Sequence, residues 1–205
     1  VKISFKQQVK NKKRLSIFCG EEYLFSISEY TFFKYNLYEG MEIASLDEFK
    51  TKCQLGESFN YCLNILSKKS YTKKEIYDKL IKRECDENTA NMIISELIEK
   101  RLLSDEYYKD EFVKSRQSYK KQGFNKIRQD LYKKGIKLEQ CDYDKQAELN
   151  NLNILVKDYL NKGLEDKKII ARLIGKGYKL YDIIGAIKNY KSCEFEMSLE
   201  EDFDE

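Results

Sequence analysis

The side chains of this sequence that could do chemistry are carboxylates, lysines, arginines, tyrosines and six cysteines; imidazole is missing. The chain contains no histidine, which removes the commonest general base and every Ser–His or Cys–His nucleophile pair. Cys19, Cys53, Cys62, Cys85, Cys141 and Cys193 are scattered without a C-x-x-C pair, so they lack the close ligand spacing of a zinc site. Most fall at apolar positions and read as small buried hydrophobes, in a chain kept in a reducing compartment. Carboxylates are numerous but interleaved with lysine at helical spacing. Glu75 with Lys79, for example, reads as a solvated i,i+4 pair and not as an acid–base dyad. No Walker-type glycine loop, dinucleotide fingerprint or nucleophile elbow occurs. The expectation is a protein that is not an enzyme, with no catalytic residue, no metal and no cofactor.

Positive charge is the stronger signal. The formal net charge of +3 hides a split: residues 192–205 carry seven acids and no base, leaving +10 on residues 1–191. A basic body with an acidic tail suits contact with nucleic acid or nucleoprotein. The densest run is Arg116, Lys120, Lys121, Lys126, Arg128, Lys133 and Lys134, within nineteen residues whose only acid is Asp130. Tyr119 and Tyr132 lie among them, and bases with aromatics suit a phosphate backbone or an acidic protein groove. Arg83, Lys134 and Lys176 each follow a repeated leucine by three positions, and Arg172 completes the candidate set for a partner or nucleic acid. Cations near a helix C-terminus also complement the macrodipole, by about 0.3–1 kcal/mol each, so the recurrence has a structural explanation too.

The elements that must position these residues are helices. From Ser58 onward the apolar pattern has helical period and repeats itself. Ile76, Leu80 and Cys85 have the spacing of Ile127, Leu131 and Ile136, and of Ile169, Leu173 and Tyr178. Cys62, Val113 and Leu155 precede each set by fourteen residues, and Ala90, Cys141 and Ile183 follow it by five. Each unit reads as three helices: 58–67, 73–83 and 87–100; then 105–119, 125–134 and 138–149; then 150–162, 166–175 and 180–190. The TKKE at 72–75 is a capping box. Gly135 and Gly177 stand at the same repeat position as left-handed helix stops; Glu84 takes that place in the first unit, which predicts a different turn there. The SYKKQG at 118–123 interrupts the second unit between its first two helices.

Before residue 56 the pattern changes. Ile3 and Phe5, then Leu15, Ile17 and Cys19, then Tyr23, Phe25 and Ile27 alternate, with turn signals between them, predicting a small antiparallel meander. A short helix near 29–36, a brief strand at 41–43 and a helix from the SLDE box at 45–48 to about Cys53 follow, with Gly56 as breaker. The fold class expected is mainly α: three tandem three-helix repeats (58–103, 104–149 and 150–190) behind a small α+β piece (1–55), with an acidic, mobile tail at 191–205. No run approaches a membrane span and no signal peptide pattern opens the sequence, so a cytoplasmic monomer with no membrane partner is expected.

The stretch LLSDEYYKDEFVKSR…KKQGFNKIRQDLYKKGI resembles the signature of the RecX family, regulators of the RecA recombinase. The family pattern falls on Asp105, Tyr108, Arg116, Gly123, Ile127, Leu131, Gly135 and Ile136. YCLNILSKKSYTKKEIYDKL is similar to the start of the family's first unit, LIGKGYKLYDIIGAI to the end of its third, and the meander to the longer form of Gram-positive-type bacteria. Glu84 and the acidic tail depart from the pattern. The resemblance implies three three-helix units in an elongated, curved array. It also implies a non-enzymatic modulator of recombination, DNA repair and the SOS response, whose partners are the RecA filament and single-stranded DNA. The other reading is a stand-alone helix-turn-helix-like DNA-binding protein. Against it, ENTANMIISELIEK and DIIGAIKNY lack the Arg, Asn and Gln clusters that read base edges.

Overall fold

The computed structural model of the chain describes the backbone of residues 1–201 and the side chains of residues 1–192. It divides into two compact units, Val1–Ser104 and the residues from Asp105 onward. In the first, alternation gives an antiparallel sheet of β1 (Ile3–Gln7), β2 (Arg14–Cys19) and β3 (Glu22–Ser28), in that order. Ile3, Ile17 and Ile27 point inward against Leu37, Phe49 and Cys53. The expected strand at 41–43 is reduced to a single bridge between Lys2 and Glu42. Even so, Ile3 N–H donates to Met41 O and Ile43 N–H to Val1 O, lining the start of β1.

Helix α1 (Glu29–Lys34) is capped by Ser28, and α2 (Leu46–Leu66) by Ser45, whose Oγ accepts from Glu48 N–H. Helix α2 runs straight through Gly56, which is a correction to the breaker reading. A Cβ at Gly56 would lie 2.7 Å from Thr31 Cγ2 and 2.8 Å from Tyr35 Cε2, so the glycine is there for close approach to α1. Across the same contact Glu57 accepts from Ser28 N–H, Ser28 Oγ and Thr31 Oγ1, each at 2.6 Å, and pairs with Arg14 at 3.1 Å. Burial pushes this carboxyl up, but the hydrogen bonds and Arg14 outweigh it and hold Glu57 below the ordinary carboxylate value.

The end of α2 packs with α3 (Lys73–Ile81) and α4 (Glu87–Glu99) around Phe59, Cys62, Ile76, Leu80, Ala90, Ile93 and Leu97. Both halves of the Thr72–Glu75 capping box form. The second unit begins with α5 (Asp105–Ser118) and α6 (Phe124–Lys133), whose core is Val113, Phe124, Ile127, Leu131, Ile136, Leu138 and Tyr143. A separate helix at 138–149 does not form. The chain makes a 3-10 turn at Gln140–Asp142, and the true cap is Asp144, which accepts from Ala147 N–H and starts α7 (Lys145–Asn161). Nothing between Leu149 and Asn151 breaks a helix, so α7 serves two cores. Its first half bonds to α5 and α6, and its second packs Leu152 and Val156 with α8 (Asp166–Gly175) and α9 (Leu180–Glu201).

Three helix ends confirm the repeat in detail. Cys85 N–H donates to Leu80 O, Ile136 N–H to Leu131 O and Tyr178 N–H to Leu173 O, at 3.2, 3.0 and 3.1 Å. Gly135 and Gly177 are left-handed at φ 82° and 95°, and Glu84 adopts the same conformation at φ 62°. The first turn therefore does not differ in form. Its left-handed residue carries a strain of about 1 kcal/mol that the glycines avoid.

The cysteine reading needs correction. Cys53 and Cys62 are buried, but Cys19 and Cys85 are half-buried and Cys141 is exposed on the 3-10 turn. Cys141 thus breaks the expected equivalence with Ala90 and Ile183. Helix α9 continues past its expected end at residue 190; the side chains of the acidic tail lie outside the described residues.

Candidate functional site

The loop between α5 and α6 carries Lys120 and Lys121, and the end of α8 fixes it in place. Gly123 N–H donates to Lys176 O at 2.9 Å and Asn125 N–H to Gly177 O at 3.2 Å. Tyr178 Oη donates to Lys121 O at 2.9 Å, Tyr143 Oη to Gln122 O at 3.2 Å, and Lys176 Nζ to Lys120 O at 3.2 Å. Burial pushes both tyrosine hydroxyls well above their usual range, so they remain protonated donors. The two segments approach too closely for any side chain. A Cβ on Gly123 would lie 2.7 Å from the Gly177 carbonyl, and one on Gly177 would lie 2.4 Å from Lys126 N.

Gly123 offers no side chain to cap α6. Glu148 supplies the cap from α7, accepting from Phe124 N–H at 2.8 Å. Burial pushes the Glu148 carboxyl up; the Phe124 bond opposes the shift and Asp182 adds to it.

Between α6 and the α8–α9 turn lies a cleft of about 830 Å³, lined on its polar side by Asn125, Lys126, Arg128, Gln129 and Lys137. Tyr132, Ile136, Leu138 and Ile174 supply its apolar part. Lys126 pairs with Asp130 at 3.4 Å, and the Arg128 guanidinium lies 5.6 Å from the Phe124 ring.

The other candidates are distributed as follows. Tyr108 and Phe112 stack at 5.9 Å on α5, with Lys134 5.4 Å from the Tyr108 ring and Arg116 4.8 Å from the Phe112 ring. Lys120 and Lys133 are exposed, while Lys121 is half-buried in a left-handed conformation at φ 47°. Arg172 sits over Tyr159 at 5.7 Å, and Arg83, in the other unit, over Tyr61 at 4.3 Å. The fold thus brings Lys126 and Arg128 to one cleft and Lys120 beside Lys176, but does not gather all ten.

Sequence reasoning missed three groups. Lys137 lines the cleft just beyond the run of bases that ends at Lys134. Lys109 is buried, paired with Glu106 at 2.8 Å and Asp142 at 3.1 Å, and these bonds raise its pKa. Gln117 is buried too, its side-chain amide donating to Asp144 O and its backbone carbonyl accepting from Asn151 Nδ2 at 3.0 Å. Polar residues on the inner face of α5 were the available signal for the last two.

Comparison with known proteins places the whole chain. Residues 3–44 match the Regulatory protein RecX N-terminal domain, and residues 59–97 match the first three-helix domain of RecX. Over 196 residues the chain is 31% identical to the Regulatory protein RecX of Clostridium tetani, covering 86% of this chain and 88% of that one. The chain belongs to the RecX family. A Clostridium botulinum RecX is likewise 31% identical, over 92% of this chain and 95% of its own. A crystal structure of a regulatory protein RecX superposes with a TM-score of 0.65 at 22% identity, covering 92% of this chain and 98% of that one. RecX from Lactobacillus salivarius gives 0.59 at 25% identity, over 66% of this chain and 95% of its own. The matched RecX segments coincide with the meander and with the α2–α4 core. Among the described residues no helix is long and apolar enough to cross a membrane.

Proposed function

We propose that this RecX-family chain is a non-enzymatic regulator of homologous recombination and DNA repair. It engages the RecA–single-stranded-DNA filament and opposes its activity, acting as a cytoplasmic monomer. The observation that supports this reading best is the attachment of the basic α5–α6 loop to the α8–α9 turn. It fixes Lys126 and Arg128, with Asn125, Gln129 and Lys137, on the polar side of a cleft whose other side is apolar. A preorganised surface loses little side-chain and loop freedom on binding. Contacts to several identical protomers of a filament also act together through effective concentration, so each can be weak. Lys120, Lys133 and the other bases of this run border the same helix and supply the charge a nucleoprotein partner requires.

The test is RecA's DNA-dependent ATP hydrolysis with the protein added at substoichiometric amounts. Hydrolysis should fall, and should fall less with the Lys126→Glu/Arg128→Glu variant. Unchanged hydrolysis even at equimolar protein would refute the reading. Sequence-specific footprints on bare duplex would replace it with the stand-alone DNA-binding one.

A further inference from the structure

The meander has two faces, and only one is used by the fold. The register places Ser4 opposite Phe18 and Lys6 opposite Ser16, then Phe18 opposite Tyr23 and Ser16 opposite Ser26. These residues share the face away from Ile3, Ile17 and Ile27. A sheet packed on one side needs only polar residues on the other. Here that side carries an edge-to-face aromatic pair, with Phe18 and Tyr23 centroids 5.7 Å apart at 70°. Tyr23 is 53% exposed, and Lys6 Nζ lies 5.9 Å from the Phe18 ring.

Charge changes sign along this sheet: the bases gather at the β1–β2 turn and on Lys6, and Glu21 and Glu22 stand at the β2–β3 turn beside Tyr23. The first twenty residues contain six bases and no acid. Arg14 is engaged by Glu57, but Lys6, Lys10, Lys12 and Lys13 are exposed. None of these four lysines has an ion pair among the described residues. Their turn is firmly built: Gln8 N–H donates to Arg14 O and Arg14 N–H to Asn11 O, both at 3.0 Å, and Gln7 Nε2 to Lys12 O at 2.7 Å. Glu21 and Glu22, in and after the β2–β3 turn, lie at the far end from the three turn lysines and beside the ring pair, and Glu29, whose N–H donates to Lys13 O at 2.9 Å, adjoins the lysine turn. Glu39 at the outer edge accepts from Phe5 N–H.

Lysines often guard a sheet edge against pairing with another strand. That role does not account for this arrangement. The edge of β1 is already covered by Met41–Ile43 and Glu39, three of the four lysines lie in the turn, and edge protection needs no aromatic platform. Rings on which bases can stack, approached from one side by a track of cations that runs from the β1–β2 turn through Lys6 to Phe18, suit a single strand laid along the sheet. A duplex hides the faces of its bases, and an acidic peptide would use the lysines without the rings.

We propose that the outward face of the β1–β2–β3 sheet is a single-strand nucleic-acid site. Phe18 and Tyr23 form its stacking platform, and Lys6, Lys10, Lys12 and Lys13 contact the phosphates. The site lies in the first unit and requires no recombinase, so it stands or falls separately from the function proposed above.

The experiment uses the full chain alone, titrated into a fluorescent oligothymidylate of about 15 nucleotides, a length within the range of such sites, at several salt concentrations. Reversal of the turn (Lys10→Glu/Lys12→Glu/Lys13→Glu) should weaken binding at least about tenfold and lower the log–log salt slope by about 2, at about 0.7 per lost phosphate contact. Tyr23→Ser should weaken it about tenfold, a typical loss for one stacked base, with the slope unchanged. If Tyr23→Ser melts early, Tyr23→Leu, which keeps apolar area without the ring, takes its place. A duplex of equal length should bind more weakly and ignore the Tyr23 change. Binding by the triple variant within twofold of the parent would overturn the proposal. So would equal affinity for the duplex, equal competition by polyglutamate, or loss of binding only in Lys126→Glu/Arg128→Glu, which would move the site to the second unit.

Discussion

Replacing Gly177 by alanine tests whether the α5–α6 loop is rigidly held, and Gly163 provides the control. Both residues follow a helix in left-handed conformation, at φ 95° and 69°, and both helix ends close with the same bonding. Tyr178 N–H reaches Leu173 O and Leu164 N–H reaches Tyr159 O, each at 3.1 Å. Their surroundings differ: a Cβ at Gly163 meets nothing within 4 Å, whereas one at Gly177 lies 2.4 Å from Lys126 N and 3.0 Å from Gly123 O. Gly163→Ala should therefore cost only the left-handed strain, about 1–2 kcal/mol. Gly177→Ala adds overpacking of about 1–3 kcal/mol, because backbone and not a flexible side chain must move. It also pulls at the Asn125 N–H to Gly177 O bond. Urea unfolding followed by circular dichroism should rank the two, with an unchanged slope showing that only stability differs. The same displacement shifts Lys126, so inhibition of RecA by Gly177→Ala should drop while Gly163→Ala keeps it. Equal destabilisation by the two would mean that the glycine contact relaxes freely, and the argument for a preorganised cleft would fail.

Leu131 is fully buried in the α5–α6 core, and Leu131→Ala should cost about 2–5 kcal/mol in the same unfolding assay. Glu57→Gln should destabilise the first unit by about 1.5–3 kcal/mol at neutral pH, since it removes a charged acceptor from several hydrogen bonds. The folded-state pKa of Glu57 is depressed, so its contribution is present above the unfolded value of about 4.3 and is lost as pH falls through the folded one. The variant's stability should then decline less steeply in acid than the parent's. Lys133→Glu/Lys134→Glu should weaken filament binding with the circular dichroism spectrum retained. A fall in the salt slope of about 0.7 per contact would identify phosphates, and a fall in affinity with bare-DNA binding unchanged would identify acidic side chains.

The sequence made the helices and their ends legible because the signals were local. The TKKE box, Gly135, Gly177 and the Ile–Leu spacing each act within one or two turns, and each appears where expected. The misreadings came from residues whose role depends on distant chain. Gly56 looked like a breaker because a packing glycine and a stop glycine are the same residue; only Thr31 and Tyr35 tell them apart. The helix expected at 138–149 failed because its apolar residues, Leu138 and Tyr143, are buried from an irregular segment, and periodicity cannot see that. Glu148 as the cap of α6 was invisible, since the acceptor lies 24 positions from the amide it serves.

The same distinction sorts the candidate contact residues. Arg83, Lys134 and Lys176 occupy one repeat position, and a surface matched to a repeating partner would use them alike. Two of the three share a contact and one does not: Arg83 lies over Tyr61 and Lys134 over Tyr108, whereas Lys176 donates to Lys120 O. The macrodipole explains why a cation recurs there, and the third unit's neighbour gives its lysine a different task. Lys176 holds the loop in place, and changing it should alter the loop's position as well as its charge. Arg128 and Lys137 line the cleft from more exposed positions, where a charge reversal perturbs the fold least. A loss of partner binding from those two residues, with stability unchanged, is therefore evidence of contact in a way that the same loss from Lys176 is not.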